Sequence, residues 1–249
     1  MNIREKNAIA CTILGIGICA LTSCGSPEQA QEDTIRNHDV QVVGAMRNVM
    51  WNGELAGTID LDTLSAKKNL IGLGPVEYLA GELLIVDGKS FKAVVTSDST
   101  MRVEETFAAK APFFVYARVS EWQERAVPDS IQTLQQLELY LDGETKNNKR
   151  PFPFKLSGEI EQATIHIVNL PAGSTVSNPD EAHQGQVDYE LGPEEVEVAG
   201  FFSTEHKAVF THHDTFLHLH LITKDRSKMG HLDKVVFKPG SLTLYLPKE

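Results

Sequence analysis

Residues 216–222, with the sequence FLHLHLI, constrain the fold and the chemistry of this chain more than any other stretch. Successive side chains of a β-strand point to opposite faces, so His218 and His220 share one face while the leucines beside them share the other. A row of leucines is readily buried, whereas two neighbouring imidazoles on an otherwise apolar strand need a specific reason to be there. The pattern predicts a strand with one leucine face in the core and one histidine face with a function.

A third histidine, His231, follows the polar, turn-prone run of residues 223–230. This run lets the chain double back and bring His231 beside His218 and His220. Three neutral imidazoles that leave one coordination position open are typical of a catalytic zinc site. We therefore predict that these three histidines bind zinc. The alternative is a half-exposed polar strand face and an unrelated histidine at a turn.

The first 23 residues have the pattern of a bacterial lipoprotein signal peptide. Arg4 and Lys6 form a short basic region, and the apolar run after them is too short and too rich in glycine for a transmembrane helix. The run ends in Leu-Thr-Ser before Cys24, which would be acylated and become the new N-terminus. An uncleaved anchor helix is the alternative. We expect an extracytoplasmic protein that is attached to a bacterial membrane only through the lipid on Cys24.

Residues 24–39 are polar, mildly acidic and without periodicity, which is typical of a flexible tether. The folded domain is expected to span residues 40–249. Cys11 and Cys19 lie in the signal peptide, so the mature domain has no free thiol for a disulfide or for cysteine catalysis. The formal net charge of −11, with no stripe of basic residues between aromatic ones, argues against nucleic acid binding.

The order of predicted elements indicates an α+β fold in which β-structure dominates. Short helices are predicted within residues 40–52 and 58–64, the second one capped by Thr58 or Asp60. The strands that follow these helices, up to the middle of the chain, are expected to form a mixed N-terminal sheet. These strands cover residues 82–87, 90–95, 101–107 and 112–119.

The second half of the chain predicts one helix and a curved sheet. Residues 130–141 have the clearest helical pattern, with Ser130 as the N-cap. Strands at residues 152–156 and 159–168 are predicted to form a hairpin around a Ser-Gly turn. Evenly spaced short strands then favour a curved antiparallel sheet, a half-barrel. They cover residues 187–191, 196–202, 208–212, 216–222, 232–237 and 241–246.

Two blocks of this sequence resemble bacterial α-acetolactate decarboxylases. The first block is residues 72–88 (GLGPVEYLAGELLIVDG). The second combines Gly200 and the following Phe with His218-x-His220 and with His231. The resemblance covers roughly residues 40–247. It implies a zinc lyase that converts 2-acetolactate, or a similar branched 2-hydroxy-3-keto acid, to acetoin and CO₂, commonly as a homodimer.

The resemblance also assigns residues to the site. The zinc ligands of the family fall on the three histidines, its acidic residue falls on Glu82, and its active-site arginine falls on His166. Glu82 could deliver a proton to the enediolate carbon, and a protonated His166 could bind the substrate carboxylate. The alternatives are a solvated glutamate at a strand end and a histidine hydrogen-bonded at a sheet edge. A further histidine, His183, lies in a polar loop that could reach the site, but exposure is expected.

The sequence departs from the family pattern at three places. A threonine of the family is Pro75 here, the arginine is His166, and a C-terminal tail with a glutamate near the metal has no counterpart before Glu249. These departures support a second hypothesis, a non-catalytic lipoprotein of the cell envelope that binds zinc or a small carboxylate. A third hypothesis is a zinc hydrolase, which ranks last because no glutamate adjoins the histidine pair as in HExxH.

Overall fold

β-Strands are the main secondary structure in the described part of the chain, which in this computed structural model comprises residues 38–211 and 214–248. The strands, in chain order, are β1 Gln41–Val43, β2 Ile59–Asp60, β3 Leu70–Pro75, β4 Glu82–Val86, β5 Lys89–Ser97, β6 Thr100–Glu105, β7 Lys110–Ala111, β8 Phe114–Arg118, β9 Trp122–Ala126, β10 Phe152–Ile167, β11 Val187–Leu191, β12 Glu194–Phe202, β13 Leu217–Thr223, β14 Met229–Phe237 and β15 Thr243–Pro247. The helices are α1 Met46–Asn52, α2 Leu134–Glu144 and α3 Pro179–Ala182, with short 3₁₀ turns at Leu61–Thr63, Lys67–Asn69 and Glu77–Leu79. The predicted α+β fold dominated by β-structure is confirmed.

The predicted signal peptide of residues 1–23, the lipidation site at Cys24 and the tether as far as residue 37 lie outside the described residues. The last two residues of the predicted tether contact the folded part. The backbone N–H of His38 donates to the carbonyl of Arg118 over 2.8 Å, and an Asp39 carboxylate oxygen lies 2.7 Å from Lys149 Nζ. Within residues 38–211 and 214–248, no helix has the length and apolar run that crossing a bilayer requires.

The N-terminal sheet has the strand order β1-β8-β3-β4-β5-β6. Every neighbouring pair in it is antiparallel, so the prediction of a mixed sheet is corrected in this respect. The physical reason lies in the connections, because β3, β4, β5 and β6 follow one another through turns too short for a parallel crossover. One such turn is Asp87-Gly88, where both residues have the positive φ of a tight hairpin, 49° and 75°.

The C-terminal sheet is so strongly curved that four of its strands form a closed ring. β10 is 16 residues long, and its first half pairs with β12 while its second half pairs with β14. β13 joins β12 to β14, which closes the ring β10-β12-β13-β14. β15 and β9 continue the sheet on one side, and β11 pairs with the second half of β10. The predicted half-barrel is confirmed.

The two sheets pack against each other around one large hydrophobic core. On β4, Glu82 points to the same face as Leu84 and Val86, both buried in this core. On β13, His218 and His220 share their face with Ile222, which is buried in the same core. β13 is buried on both faces, since its leucines pack on the other side. The face that carries the histidines is therefore enclosed between the sheets.

The structure corrects the predicted hairpin at residues 152–168. β10 runs through Ser157 and Gly158 without a turn. A Cβ atom on Gly158 would lie 2.5 Å from the Ser241 carbonyl oxygen, so this glycine allows the close approach of a neighbouring segment. A glycine in a strand and a glycine in a turn look alike in sequence, which explains the wrong prediction.

Three smaller predictions also change. The helix predicted at residues 130–141 exists, but it begins at Leu134, because Thr133 and Gln136 form a capping box there. In the segment 58–64 only a 3₁₀ turn forms, with Asp60 as its cap. The strand predicted at residues 208–212 is wrong for its described part. There, three backbone N–H groups donate to the carbonyl oxygen of His206, which makes a turn.

Candidate metal centre

Three histidines and one aspartate of the site lie in a row across four neighbouring strands. Cross-strand pairing places His220 of β13 opposite His231 of β14, His231 opposite His166 of β10, and His166 opposite Asp188 of β11. Directly opposed residues of antiparallel strands share a face, with Cβ atoms about 4.5–5.5 Å apart. The register of the sheet therefore brings three imidazoles together that are up to 65 positions apart in sequence.

The hairpin between β13 and β14 fixes which histidines meet. In its turn, an Asp225 carboxylate oxygen accepts hydrogen bonds from Thr223 Oγ1 over 2.7 Å and from the backbone N–H of Ser227 over 2.9 Å. These hydrogen bonds lower the pKa of Asp225 to about 2. A turn centred on this aspartate places His231 opposite His220, as the sequence predicted.

His218, His220 and His231 form a buried triad. Each offers one ring nitrogen, and these nitrogens lie within 4.8 Å of one another. The ring centroids are 5.1–5.5 Å apart. The residues are only 3%, 0% and 8% exposed, respectively. Imidazole nitrogens that bind one zinc ion at about 2.0–2.1 Å lie roughly 3.4 Å apart in tetrahedral geometry, so the rings would move closer together around an ion. The donor set suits a divalent transition metal such as zinc, so the triad could hold a metal ion.

Glu82 brings a carboxyl group to this triad from the other sheet. It is 3% exposed, and its Oε2 lies 3.6 Å from His220 Nε2. Burial raises the pKa of Glu82 to about 8, although the charge of His166 and a 3.3 Å hydrogen bond from the Val168 N–H act in the opposite direction. Without a metal the carboxyl group therefore keeps its proton at neutral pH. A dication on the histidines would lower this pKa.

His166 is bound by a carboxylate that the sequence analysis missed. Its Nδ1–H donates to both oxygens of Asp233, over 2.8 and 2.9 Å, and its ring stacks on that of His231 at 4.7 Å. Burial alone would lower the pKa of His166, but Asp233, with smaller contributions from Glu82 and Asp188, raises it above its ordinary value. The arrangement fixes the orientation of the His166 ring.

Asp233 reaches this position through a β-bulge. Leu232 and Lys234 of β14 lie opposite two consecutive residues of β10, Ile165 and Thr164, so Asp233 is the extra residue between them. A bulge redirects a side chain without ending the strand. The spacing of Asp233 two residues after a predicted ligand was the only signal in the sequence, and the bulge itself could not be seen there.

A family model for alpha-acetolactate decarboxylase matches residues 43–247. The chain belongs to the alpha-acetolactate decarboxylase family. An alpha-acetolactate decarboxylase from Brevibacillus brevis is 24% identical over 200 residues, which cover 79% of this chain and 66%, just under two thirds, of that relative. One from Lactococcus lactis subsp. lactis is 26% identical over 200 residues, covering 77% of this chain and 78% of the relative.

A solved structure of the family has the same fold. The acetolactate decarboxylase from Bacillus subtilis subspecies spizizenii matches with a TM-score of 0.69 at 18% identity, covering 84% of this chain and 86% of the other. At this identity the likeness shows the fold alone. The family resemblance stated from the sequence is confirmed, and the homodimer that it implied stays a prediction.

Two further residues of this acetolactate decarboxylase family member lie near the triad. Pro75, where the sequence resemblance implied a threonine, is the last residue of β3 and pairs in register with Glu82. His183 caps α3 and is half-buried, which corrects the prediction that it is exposed. Its Nδ1–H donates to the Pro179 carbonyl over 2.6 Å, and its ring centroid lies 6.4 Å from that of His166. The histidine row therefore has a further imidazole beside it.

Proposed function

We propose that this chain is a zinc-dependent carboxy-lyase that converts 2-acetolactate, or a similar branched 2-hydroxy-3-keto acid, to acetoin and CO₂. The observation that carries the proposal is the buried triad of imidazoles with the buried Glu82 carboxyl group 3.6 Å from one of them, in a chain of this family. His218, His220 and His231 would hold the ion. When bound, the ion supplies positive charge that stabilises the negative charge developing on substrate oxygens as CO₂ leaves.

Glu82 has the properties of the proton donor that such a reaction needs. After CO₂ departs, the carbon that carried it must receive a proton. The Glu82 carboxyl group lies beside the triad, is buried from water and holds its proton at neutral pH in the metal-free site. General acids contribute about 10²–10⁴-fold to rates when their position and pKa match the task.

His166 is the candidate for orienting the substrate carboxylate. Asp233 occupies its Nδ1, so Nε2 is the ring nitrogen that can contact a substrate. An arginine would bind a carboxylate with two parallel hydrogen bonds, whereas this imidazole can donate only one. We therefore expect weaker selection for the carboxylate here than an arginine would give.

Purified protein is expected to form acetoin from racemic 2-acetolactate, and removal of the metal is expected to abolish this activity. Loss of a metal that acts as a Lewis acid costs several kcal/mol of transition-state stabilisation, so the rate should fall at least about 1000-fold. Acetoin is measured before chelation, after chelation, and after zinc is restored. No acetoin above the chelated control would rule out this substrate.

A second candidate function is binding without turnover, either of zinc or of a small carboxylate. Two observations favour it. Pro75 replaces a threonine expected from the family resemblance, and His166 is already engaged by an acidic partner, Asp233. Tight zinc binding without decarboxylation of a panel of keto and hydroxy acids supports this function, and clear turnover of any of them argues against it.

We also propose that the mature protein is anchored through lipid on Cys24 and faces away from the cytoplasm. The support is the basic, apolar and small-residue pattern of residues 1–23 directly before this cysteine. Cells that express the chain and grow with a labelled fatty acid should label the wild type but not Cys24→Ser. Equal labelling of both proteins would refute acylation at this residue.

A further inference from the structure

The strand that carries two histidines of the triad is only partly paired with its hairpin partner. β13 and β14 form ladder pairs from His220 opposite His231 to Ile222 opposite Met229. His218 lies on the segment of β13 before this ladder, where only β12 pairs with it, through Phe201. The position of His218 relative to the other two histidines therefore depends on what holds the beginning of β13.

A carboxylate of α2 holds this segment. Glu138 Oε2 accepts hydrogen bonds from the hydroxyl of Thr215 and from the backbone N–H of Phe216, the latter over 2.7 Å. Thr215 Oγ1 also accepts a hydrogen bond from the N–H of Leu217 over 3.1 Å. Glu138 thus holds Thr215 and Phe216 directly and Leu217 through Thr215. Hydrogen bonds to an ionised carboxylate are about twice as strong as those between neutral groups.

Packing between this segment and α2 is incomplete. A cavity of about 400 Å³ separates α2 from the ends of β13 and β14. Glu138 and Thr215 line it together with His231 and Asp233. The helix itself is firmly held, because Leu137 on its inner face is fully buried in the main core. Glu138 therefore connects a rigid helix to a strand end beside a void.

We propose that Glu138 is a positioning residue, which sets the place of His218 in the triad and thereby the affinity of the site for a divalent metal. This inference rests on the proposed metal site. It predicts that Glu138 affects metal binding through Thr215 and Phe216, which are the residues that donate hydrogen bonds to its carboxylate.

The test is a titration of the full-length protein with Co²⁺, whose visible absorption reports the geometry of its ligands. Glu138→Ala is expected to weaken Co²⁺ binding about tenfold, at the lower end of the effect of mutating groups that support metal ligands. It is also expected to change the absorption spectrum at saturating metal.

Glu138→Gln keeps an oxygen acceptor for both hydrogen bonds and should recover most of the affinity. Glu144→Ala is the matched control, since Glu144 lies on the same helix and pairs with Arg125 at 3.4 Å.

A purely structural role would lower the melting temperature of the metal-free protein but leave the affinity and the saturated spectrum unchanged. Wild-type affinity and spectrum in Glu138→Ala would therefore overturn the positioning role while leaving the proposed function intact. Failure of the wild-type protein to bind Co²⁺ would overturn both proposals. If Glu138→Ala unfolds, Thr215→Val decides the question, because it removes the hydroxyl that donates to Glu138. Weaker Co²⁺ binding with a changed spectrum in Thr215→Val supports the role, and wild-type affinity and spectrum count against it.

Discussion

Replacing His220 with alanine is expected to abolish stoichiometric zinc binding and to lower acetoin formation at least about 1000-fold. His220 is the fully buried member of the triad, and its ring lies 5.3 Å from that of His218 and 5.5 Å from that of His231. Without it, two imidazoles remain, which are too few for a three-ligand catalytic zinc site. Elemental analysis of the purified protein measures the metal, and acetoin formation from 2-acetolactate measures the rate.

The control for this prediction is another histidine outside the row. His206 makes a 2.7 Å hydrogen bond through its Nδ1 to Ser203 Oγ, and it lies on neither β13 nor β14. His206→Ala should keep wild-type zinc content and activity. His220→Asn, which fills more of the space than alanine, should behave like His220→Ala if metal binding is the cause of the loss. Retention of one zinc per chain in both His220 variants would contradict the proposed centre.

The histidine triad was predictable because its geometry is largely local. Strand alternation puts His218 and His220 on one face, and a turn at Asp225 brings His231 opposite His220. Neither step needs knowledge of distant parts of the chain. The same reasoning explains why the leucine face of β13 was placed in the core correctly.

The surroundings of the triad could not be derived from local pattern. Glu82 lies on the opposite sheet, and only the family resemblance pointed to it from the sequence. Asp233 depends on a bulge in β14, and His166 depends on β10 continuing through Gly158, where a hairpin was predicted. Each of these features is decided by packing between strands that are distant in sequence, which hydrophobic periodicity does not report.

Replacing Glu82 with glutamine is expected to lower acetoin formation about 10²–10⁴-fold while zinc binding changes by less than about tenfold. Glutamine has nearly the same shape, and its amide oxygen can still accept the hydrogen bond from the Val168 N–H. It cannot give up a proton as a carboxylic acid does, so it would remove the proposed proton donor and leave the three ligands in place. The measurements are kcat for acetoin formation and zinc content. A wild-type kcat would exclude Glu82 as the acid.

The metal-free form of the same variant tests the cause of the effect independently of catalysis. The pKa of Glu82 is about 8 in the folded chain and 4.5 ordinarily, so unfolding releases a proton at pH values between these limits. Because the unfolded state binds fewer protons there, wild-type stability falls as pH rises through this window. Each pH unit is worth about 1.4 kcal/mol, which limits the total to roughly 5 kcal/mol. Glu82→Gln should remove this dependence and should be more stable than the wild type at pH 8, measured by urea unfolding in a chelator.

Glu77→Gln, in the loop before β4, should keep the wild-type slope, because the Glu77 carboxylate is only partly buried and accepts a 3.1 Å hydrogen bond from the Gly57 N–H. Parallel pH profiles for the wild type and Glu82→Gln would show that the Glu82 carboxyl group is ionised in the folded protein, and the proposed proton donor would then need a different source.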